Sequence, residues 1–230
     1  MQSKIGKYIV NYFNEEEFHS IKREIFTNDS YYFETDNPTP DIIDVGSYVG
    51  ISVLYFKTLY PNSNITCFEP NPIAFDLLKE NMLINNLENI NLHKSAIWVK
   101  NGIKDLYIDK TDLERFSVGS FKKDCWNESV PTQKIEVKTE ILDKYMDKPV
   151  DLLKLDVEGS EQTILNSIKE YFKNIKHIIL EYHPTKDQSI NKILNMLSKS
   201  YDIKIYDDGK LLKRCFPRDR LLTIKAIYKH

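Results

Sequence analysis

Glycine is scarce: the 230-residue chain holds seven, where ordinary usage near ~7% gives roughly sixteen. That excludes a collagen, a flexible linker and a glycine-rich low-complexity tail, and marks each glycine as a place where the backbone needs one. Cysteine is sparse too, with Cys67, Cys125 and Cys215 isolated and in no C-x-x-C spacing. An odd, scattered set argues against a disulfide framework or a structural zinc site, and for a reducing compartment. No apolar run approaches the ~20 residues that span a bilayer; Ile51 to Phe56 is among the longest. The opening MQSKIGKYIVNYFNEEEF has no sustained apolar core before its acidic residues, so no secretion signal is expected. Nor is there a basic excess: 32 Lys and Arg face 34 Asp and Glu, a net charge of -2, without the footprint that phosphate-backbone binding requires. A cytoplasmic, soluble protein is expected, with neither membrane nor nucleic acid as partner.

What is present is an ordinary globular composition, 41% hydrophobic and 29% charged, in a chain long enough for one large core. Ile5, Ile9, Tyr12, Phe13, Phe18, Ile21 and Ile25 fall at helical spacing and predict an N-terminal helical extension over residues 1–36. Asn37-Pro38-Thr39-Pro40 ends it, and one domain is expected over 37–230. There, strand and helix patterns alternate. Ile42 to Val45 precedes a helix over about 51–60, and Ile65 to Phe68 precedes a helix from Pro72 to about Asn85. Ile90 to Leu92 and Ala96 to Trp98 bracket a third strand. That order predicts a parallel, doubly wound sheet. Residues 103–142 break the rhythm with strand-like pieces at Ile103 to Ile108 and Gln133 to Thr139, separated by loops carrying Phe116, Phe121 and Trp126. They predict an antiparallel insertion of the kind that shapes a substrate mouth. A strand at Leu152 to Val157, a helix at Glu161 to Phe172, a strand at His177 to Tyr182 and a helix at Ser189 to Ser200 follow. Ile203 to Tyr206, the Asp207-Asp208-Gly209 turn and Leu221 to Tyr228 read as a closing antiparallel pair.

Asp41 to Gly50, D-I-I-D-V-G-S-Y-V-G, is a strand running into a glycine turn and a helix. A dinucleotide site wants G-x-G-x-x-G, with a pyrophosphate against the helix start. Here only Gly46 and Gly50 are present, with Ser47 and Tyr48 between, and Asp44 would repel a pyrophosphate. S-adenosylmethionine (SAM) has no pyrophosphate and carries a sulfonium and an ammonium, so a carboxylate is welcome there. No G-K-[ST] follows, which excludes a P-loop. Glu69, in T-C-F-E-P-N-P with Pro70 and Asn71, ends the second strand near the ~20-residue offset at which a carboxylate grips ribose hydroxyls. Ser95 to Ile97, Ala96 included, lie by position near an adenine.

The segment D-L-L-K-L-D-V-E-G-S-E (Asp151 to Glu161) sets Lys154 and Asp156 on one face of a strand otherwise apolar. The next strand, H-I-I-L-E-Y-H-P, sets Glu181 and His183 on one face at its carboxyl end, where open α/β sheets bind ligands. A structural ion pair explains Lys154 alone; the constellation points to chemistry. His183, Asp156 or Glu158 fits a general base for a hydroxyl, and the same Asp/Glu/His set fits a divalent cation. No N-P-P-Y or D-P-P-Y follows the fourth strand, which argues against methylation of exocyclic base nitrogens.

These residues resemble the FkbM-type SAM-dependent methyltransferases. The resemblance rests on Asp44 to Gly50, Phe68-Glu69-Pro70-Asn71-Pro72, Asn81 to Asn86, Leu142-Asp143 and, above all, Leu153 to Glu161 with its K-x-D-x-E-G-x-E pattern, and covers about residues 41–184. It implies an α/β, class I methyltransferase Rossmann-like fold: a doubly wound, mostly parallel sheet with an antiparallel C-terminal strand pair. It also implies O-methylation of a hydroxyl on a small molecule, sugar or glycan. Tyr48 stands where such proteins carry a small polar residue, and the short N-terminal region is expected to leave little cover over the acceptor. The competing readings are a non-catalytic SAM-fold scaffold and an NAD-dependent oxidoreductase.

Overall fold

The computed structural model describes residues 1–109, 119–123, 132–213, 216–217 and 219–229. Two short strands, β1 (Gln2–Ile5) and β2 (Tyr8–Asn11), form a hairpin, followed by α1 (Glu15–Lys22) and a wide π-helical turn at Arg23–Thr27. The alternating stretch follows as β3 (Asp41–Val45), α2 (Ile51–Leu59), β4 (Asn64–Phe68), α3 (Pro72–Ile84) and β5 (Ile90–His93). Next come β6 (Ala96–Ile97), β7 (Gly102–Asp109), β8 (Gly119–Ser120) and β9 (Thr132–Glu140). The chain continues through β10 (Val150–Leu155), α4 (Glu161–Ser167), β11 (Ile175–Tyr182), α5 (Ile190–Leu197), β12 (Tyr201–Asp207), β13 (Lys210–Leu212) and β14 (Leu222–Tyr228).

Eight strands form the main sheet in the order β13-β12-β14-β11-β10-β3-β4-β5. The five from β11 to β5 are parallel, and β14 pairs antiparallel with both β11 and β12. Every residue of β10 is buried, as a central strand covered on both faces requires. One apolar core gathers α4, α5 and the β11–β14 side; a second gathers α2 and α3 with the first 33 residues. Asn71 caps α3 through Ile73 N, with Pro72 in the first turn. Among the described residues no helix is long and apolar enough to cross a membrane.

Two sequence expectations are corrected. Residues 2–11 are a hairpin rather than a helix: Gly6 takes φ +56° at the turn, and Tyr8, Val10 and Tyr12 alternate into the core, so period two overrides helical spacing. The exposed hairpin edge is satisfied from α3. Asn85 exchanges hydrogen bonds with Ile9 N (2.8 Å) and O (2.7 Å), and Asn81 does so with Asn11 N (2.7 Å) and O (2.9 Å). Each amide imitates a neighbouring strand. Ala96 to Trp98 also leaves the main sheet: Ala96–Ile97 pairs with β9 in a separate sheet of order β6-β9-β7-β8. In that sheet β7 and β9 run antiparallel. Phe116, Trp126, Cys125 and Cys215 lie outside the described residues.

Candidate active site

The carboxyl ends of β3 and β10 meet at the glycine turn. Gly46 sits at φ +84°, and a Cβ there would stand 1.9 Å from the Asp156 carbonyl oxygen, so a side chain would force the two strand ends apart. Register sets Lys154 of β10 opposite Asp44 of β3. Lys154 Nζ is 3.2 Å from Asp44 Oδ1, donates to the Gly46 carbonyl at 2.6 Å and lies 3.5 Å from Asp156 Oδ2. Ser52 donates to Asp44 Oδ2 at 2.6 Å. Burial alone would push the Lys154 ammonium down; the Asp44, Asp156 and Glu181 carboxylates outweigh it and hold the group above its ordinary value.

On one side of this turn is a cleft of about 550 Å³. Ile97, Leu106 and Phe121 give it apolar walls, Glu69 and Asn71 polar ones, and Asp156, Val157 and Glu158 close it. Glu69 accepts from Tyr48 N (2.9 Å) and Asn71 N (2.8 Å), yet burial pushes its carboxyl up to about 7. Because Asn71 Oδ1 caps α3 through Ile73 N, its Nδ2 is turned the other way, buried and without a hydrogen-bond partner among the described residues. An orphaned buried donor is costly, and here it belongs to a residue that lines the cleft together with the Glu69 carboxylate. An apolar slot with a donor and a carboxylate at its edge fits an adenosine.

On the other side is a cleft of about 690 Å³, lined by Gly46, Ser47, Tyr48, Lys154, Asp156, Glu158 and Glu181 from the sheet end. Ile21, Glu24, Ile25 and Tyr31 complete it from the N-terminal segment. Tyr31 donates to Glu181 Oε1 at 2.5 Å and lies 3.3 Å from Asp156 Oδ2. Burial and the Asp156 charge raise both Glu24 and Glu181, which are hydrogen-bonded to each other.

His183, just past β11, reaches back over this rim. Its Nδ1 lies 2.8 Å from Glu161 Oε1, and its Nε2 lies 3.3 Å from Glu158 Oε2 and 3.9 Å from Asp156 Oδ1. Burial would lower the imidazole, but Glu158, Glu161 and Asp156 hold it well above its ordinary value. Glu161 is fully buried and is fixed in turn by Gly159 N (3.1 Å) and Gln188 Nε2 (2.6 Å).

The model of the methyltransferase FkbM domain matches residues 44–204, most of the chain. The chain belongs to the FkbM methyltransferase family. A methyltransferase of Sordaria araneosa, sdnD, is 27% identical over 189 residues, 70% of this chain and 73% of that protein. The 2-O-methyltransferase NoeI of Sinorhizobium fredii is 28% identical over 159 residues, 64% of this chain and 65% of that protein. Among solved structures, a methyltransferase FkbM from Methylobacillus flagellatus superposes with a TM-score of 0.56 at 17% identity. The match covers 85% of this chain but only 45% of that longer one, so this chain spans less than half of it.

Within this FkbM-family fold the residues singled out from sequence divide into groups. Gly46, Ser47, Tyr48, Glu69, Pro70, Asn71, Ala96 and Asp156 line one or both clefts. Asp44 does not: its carboxylate is fully buried behind the turn as the partner of Lys154. Gly50 faces α3, where a Cβ would stand 2.7 Å from Leu78 and Met82 side-chain atoms. Ser95 turns away to donate to Glu140 at 2.6 Å. Asp156 and Glu158 line both clefts, Lys154 and Glu181 line the second, and His183 bridges to Asp156 and Glu158. Sequence reasoning missed Glu24 and Tyr31, which lie ahead of the matched span and come from the region expected to leave little cover. It also missed Glu161 as the partner of His183, although the K-x-D-x-E-G-x-E pattern contains it. The bulk of Tyr48 is absorbed by a hydrogen bond to Glu17 of α1.

Proposed function

We propose that this FkbM-family chain is a SAM-dependent O-methyltransferase acting on a hydroxyl of a small molecule, sugar or glycan. The observation that carries this reading is the shared wall: Asp156 and Glu158 line both the adenosine-fitting cleft and the acidic second cleft. Glu69 and Asn71 would hold the ribose end and Ile97, Leu106 and Phe121 the adenine, while Gly46, Ser47 and Tyr48 line the passage to the methionine end. When bound, the cofactor would supply an electrophilic methyl on a sulfonium. An acceptor hydroxyl in the second cleft would meet Asp156 and Glu158, the carboxylates able to draw off its proton as its oxygen bonds the methyl and the methyl–sulfur bond breaks to leave a neutral thioether, with His183 held against both carboxylates. Glu24, Glu181, Asp156 and Glu158 make that cleft acidic, which disfavours phosphodiesters and supports an uncharged acceptor. The 2-O-methyltransferase name of the Sinorhizobium relative points to oxygen as well.

The test is incubation with methyl-labelled SAM and a panel of methyl glycosides and polyols, with products read by NMR. A new O-methyl group is expected, and Asp156→Asn should lower turnover by ~10²-fold or more. Label on nitrogen or carbon, or no transfer to any acceptor, overturns the proposal.

A further inference from the structure

We infer that Asp156, Glu158 and His183 form a binding site for one divalent cation of the Mg²⁺/Mn²⁺ class at the mouth of the acceptor cleft. Among the described residues these three bring one ligand atom each within 4.8 Å of one another. An octahedral ion about 2.1 Å from each ligand spaces them about 3.0 Å when adjacent and about 4.2 Å when opposite. The separations from His183 Nε2, 3.3 Å to Glu158 and 3.9 Å to Asp156, fall in that span.

The surroundings point the same way. His183 is only 8% exposed, and its Nδ1 is engaged by Glu161, itself at 0%. That is the carboxylate–imidazole arrangement that fixes the tautomer and aim of a metal-ligating histidine. Gly159 N and Gln188 hold Glu161 in place, so Nε2 is presented to the two carboxylates by a rigid support. Asp156 uses its two oxygens differently: Oδ1 faces His183, while Oδ2 faces Tyr31 and Lys154. Two carboxylates and one imidazole are hard to borderline donors, suited to Mg²⁺ or Mn²⁺ and poor for soft ions. The three protein ligands leave coordination positions for water or an acceptor oxygen.

The functional consequence rests on the O-methylation reading; ion binding itself does not. A hydroxyl coordinated to the ion has a lowered pKa. With the ion bound, Asp156, Glu158 and His183 would serve as its ligands rather than as the base: the hydroxyl proton would pass to solvent water, and the oxygen would bond the methyl as the methyl–sulfur bond breaks to leave a neutral thioether.

The experiment uses the full chain, stripped with a chelator and dialysed, titrated with Mn²⁺ alone. Calorimetry gives stoichiometry, and electron spin-echo spectroscopy detects the imidazole nitrogen. One Mn²⁺ per chain with nitrogen modulation is expected, displaced by Mg²⁺. Asp156→Asn, Glu158→Gln and His183→Gln should each abolish tight binding. Glu161→Gln should weaken it about 10–100-fold, while the exposed Asp76→Asn leaves it unchanged. Circular dichroism separates lost binding from lost fold, and the nitrogen signal of the wild-type chain decides the matter if a variant unfolds. No binding at millimolar Mn²⁺, or binding without a nitrogen signal, overturns the site. Mn²⁺ binding without SAM binding would instead leave the ion site standing and sink the cofactor reading.

Discussion

Lys154→Met removes the ammonium that spans β3 and β10 while nearly keeping its volume. Lys154 is 2% exposed and Asp44 0%, and the Nζ–Oδ1 separation is 3.2 Å, so water cannot take over the lost contact. Asp44 would keep only its Ser52 hydrogen bond, and the Gly46 carbonyl would lose its 2.6 Å donor. Leaving one partner of a buried ion pair uncompensated costs about 3–5 kcal/mol. At ~2–4 °C per kcal/mol for a domain of this size, the melting temperature should fall by roughly 6–20 °C. Differential scanning calorimetry and urea unfolding measure both quantities. The double variant Asp44→Asn/Lys154→Met separates charge from packing: with the fully buried Asp44 charge removed as well, it should recover about 2 kcal/mol or more of the loss. A fall of less than about 2 °C in the single variant, or a double variant no more stable, would refute the view that this pair organises the cofactor end of the sheet.

Three further outcomes follow from the same geometry. Glu69, pushed by burial from 4.5 up to about 7 with Lys154 and Asp156 acting on it in opposite directions, keeps its proton in the folded chain where the unfolded chain has lost it. Its contribution to stability should therefore fade between about pH 4.5 and about pH 7, by up to about 3 kcal/mol. Urea unfolding across that range should show wild type losing stability relative to Glu69→Gln; parallel curves would contradict the shift. Tyr31→Phe removes the hydroxyl bonded to Glu181 and near Asp156, so KM for the acceptor should rise several-fold with SAM affinity unchanged; weakened SAM binding would place Tyr31 on the wrong side of the wall. Gly46→Ala, with its Cβ aimed at the Asp156 carbonyl and a left-handed backbone, should cost about 3 kcal/mol or more, and near-native unfolding would show that the strand ends can part.

Much of the fold was legible because its centre obeys simple periodicities. The runs at Ile42 to Val45 and Leu152 to Leu155, apolar but for Asp44 and Lys154 and each leading into a glycine turn, mark buried parallel strands. The two-residue spacings Lys154/Asp156 and Glu181/His183 deliver side chains to one rim, and there the structure brings all four together. The hairpin at residues 2–11 was not legible. Its apolar residues satisfy helical spacing as well as alternation, and what decides between them is distant: Asn81 and Asn85 of α3 completing the strand edge. Asp44 was read as a cofactor contact because its partner depends on inter-strand register, which places Lys154 opposite it. Glu24 and Tyr31 were invisible for a related reason, since their bonds to Glu181 span more than a hundred residues. Glu161 carried a signal in its motif position, but its role became visible only with His183 folded against it.

The most direct measurement is a calorimetric titration of the full chain with SAM and, separately, with NAD. One SAM per chain should bind, NAD should neither bind nor compete, and Asn71→Ala should weaken SAM by roughly tenfold through loss of the unpaired Nδ2 donor. Tight NAD binding with no SAM binding would contradict the account.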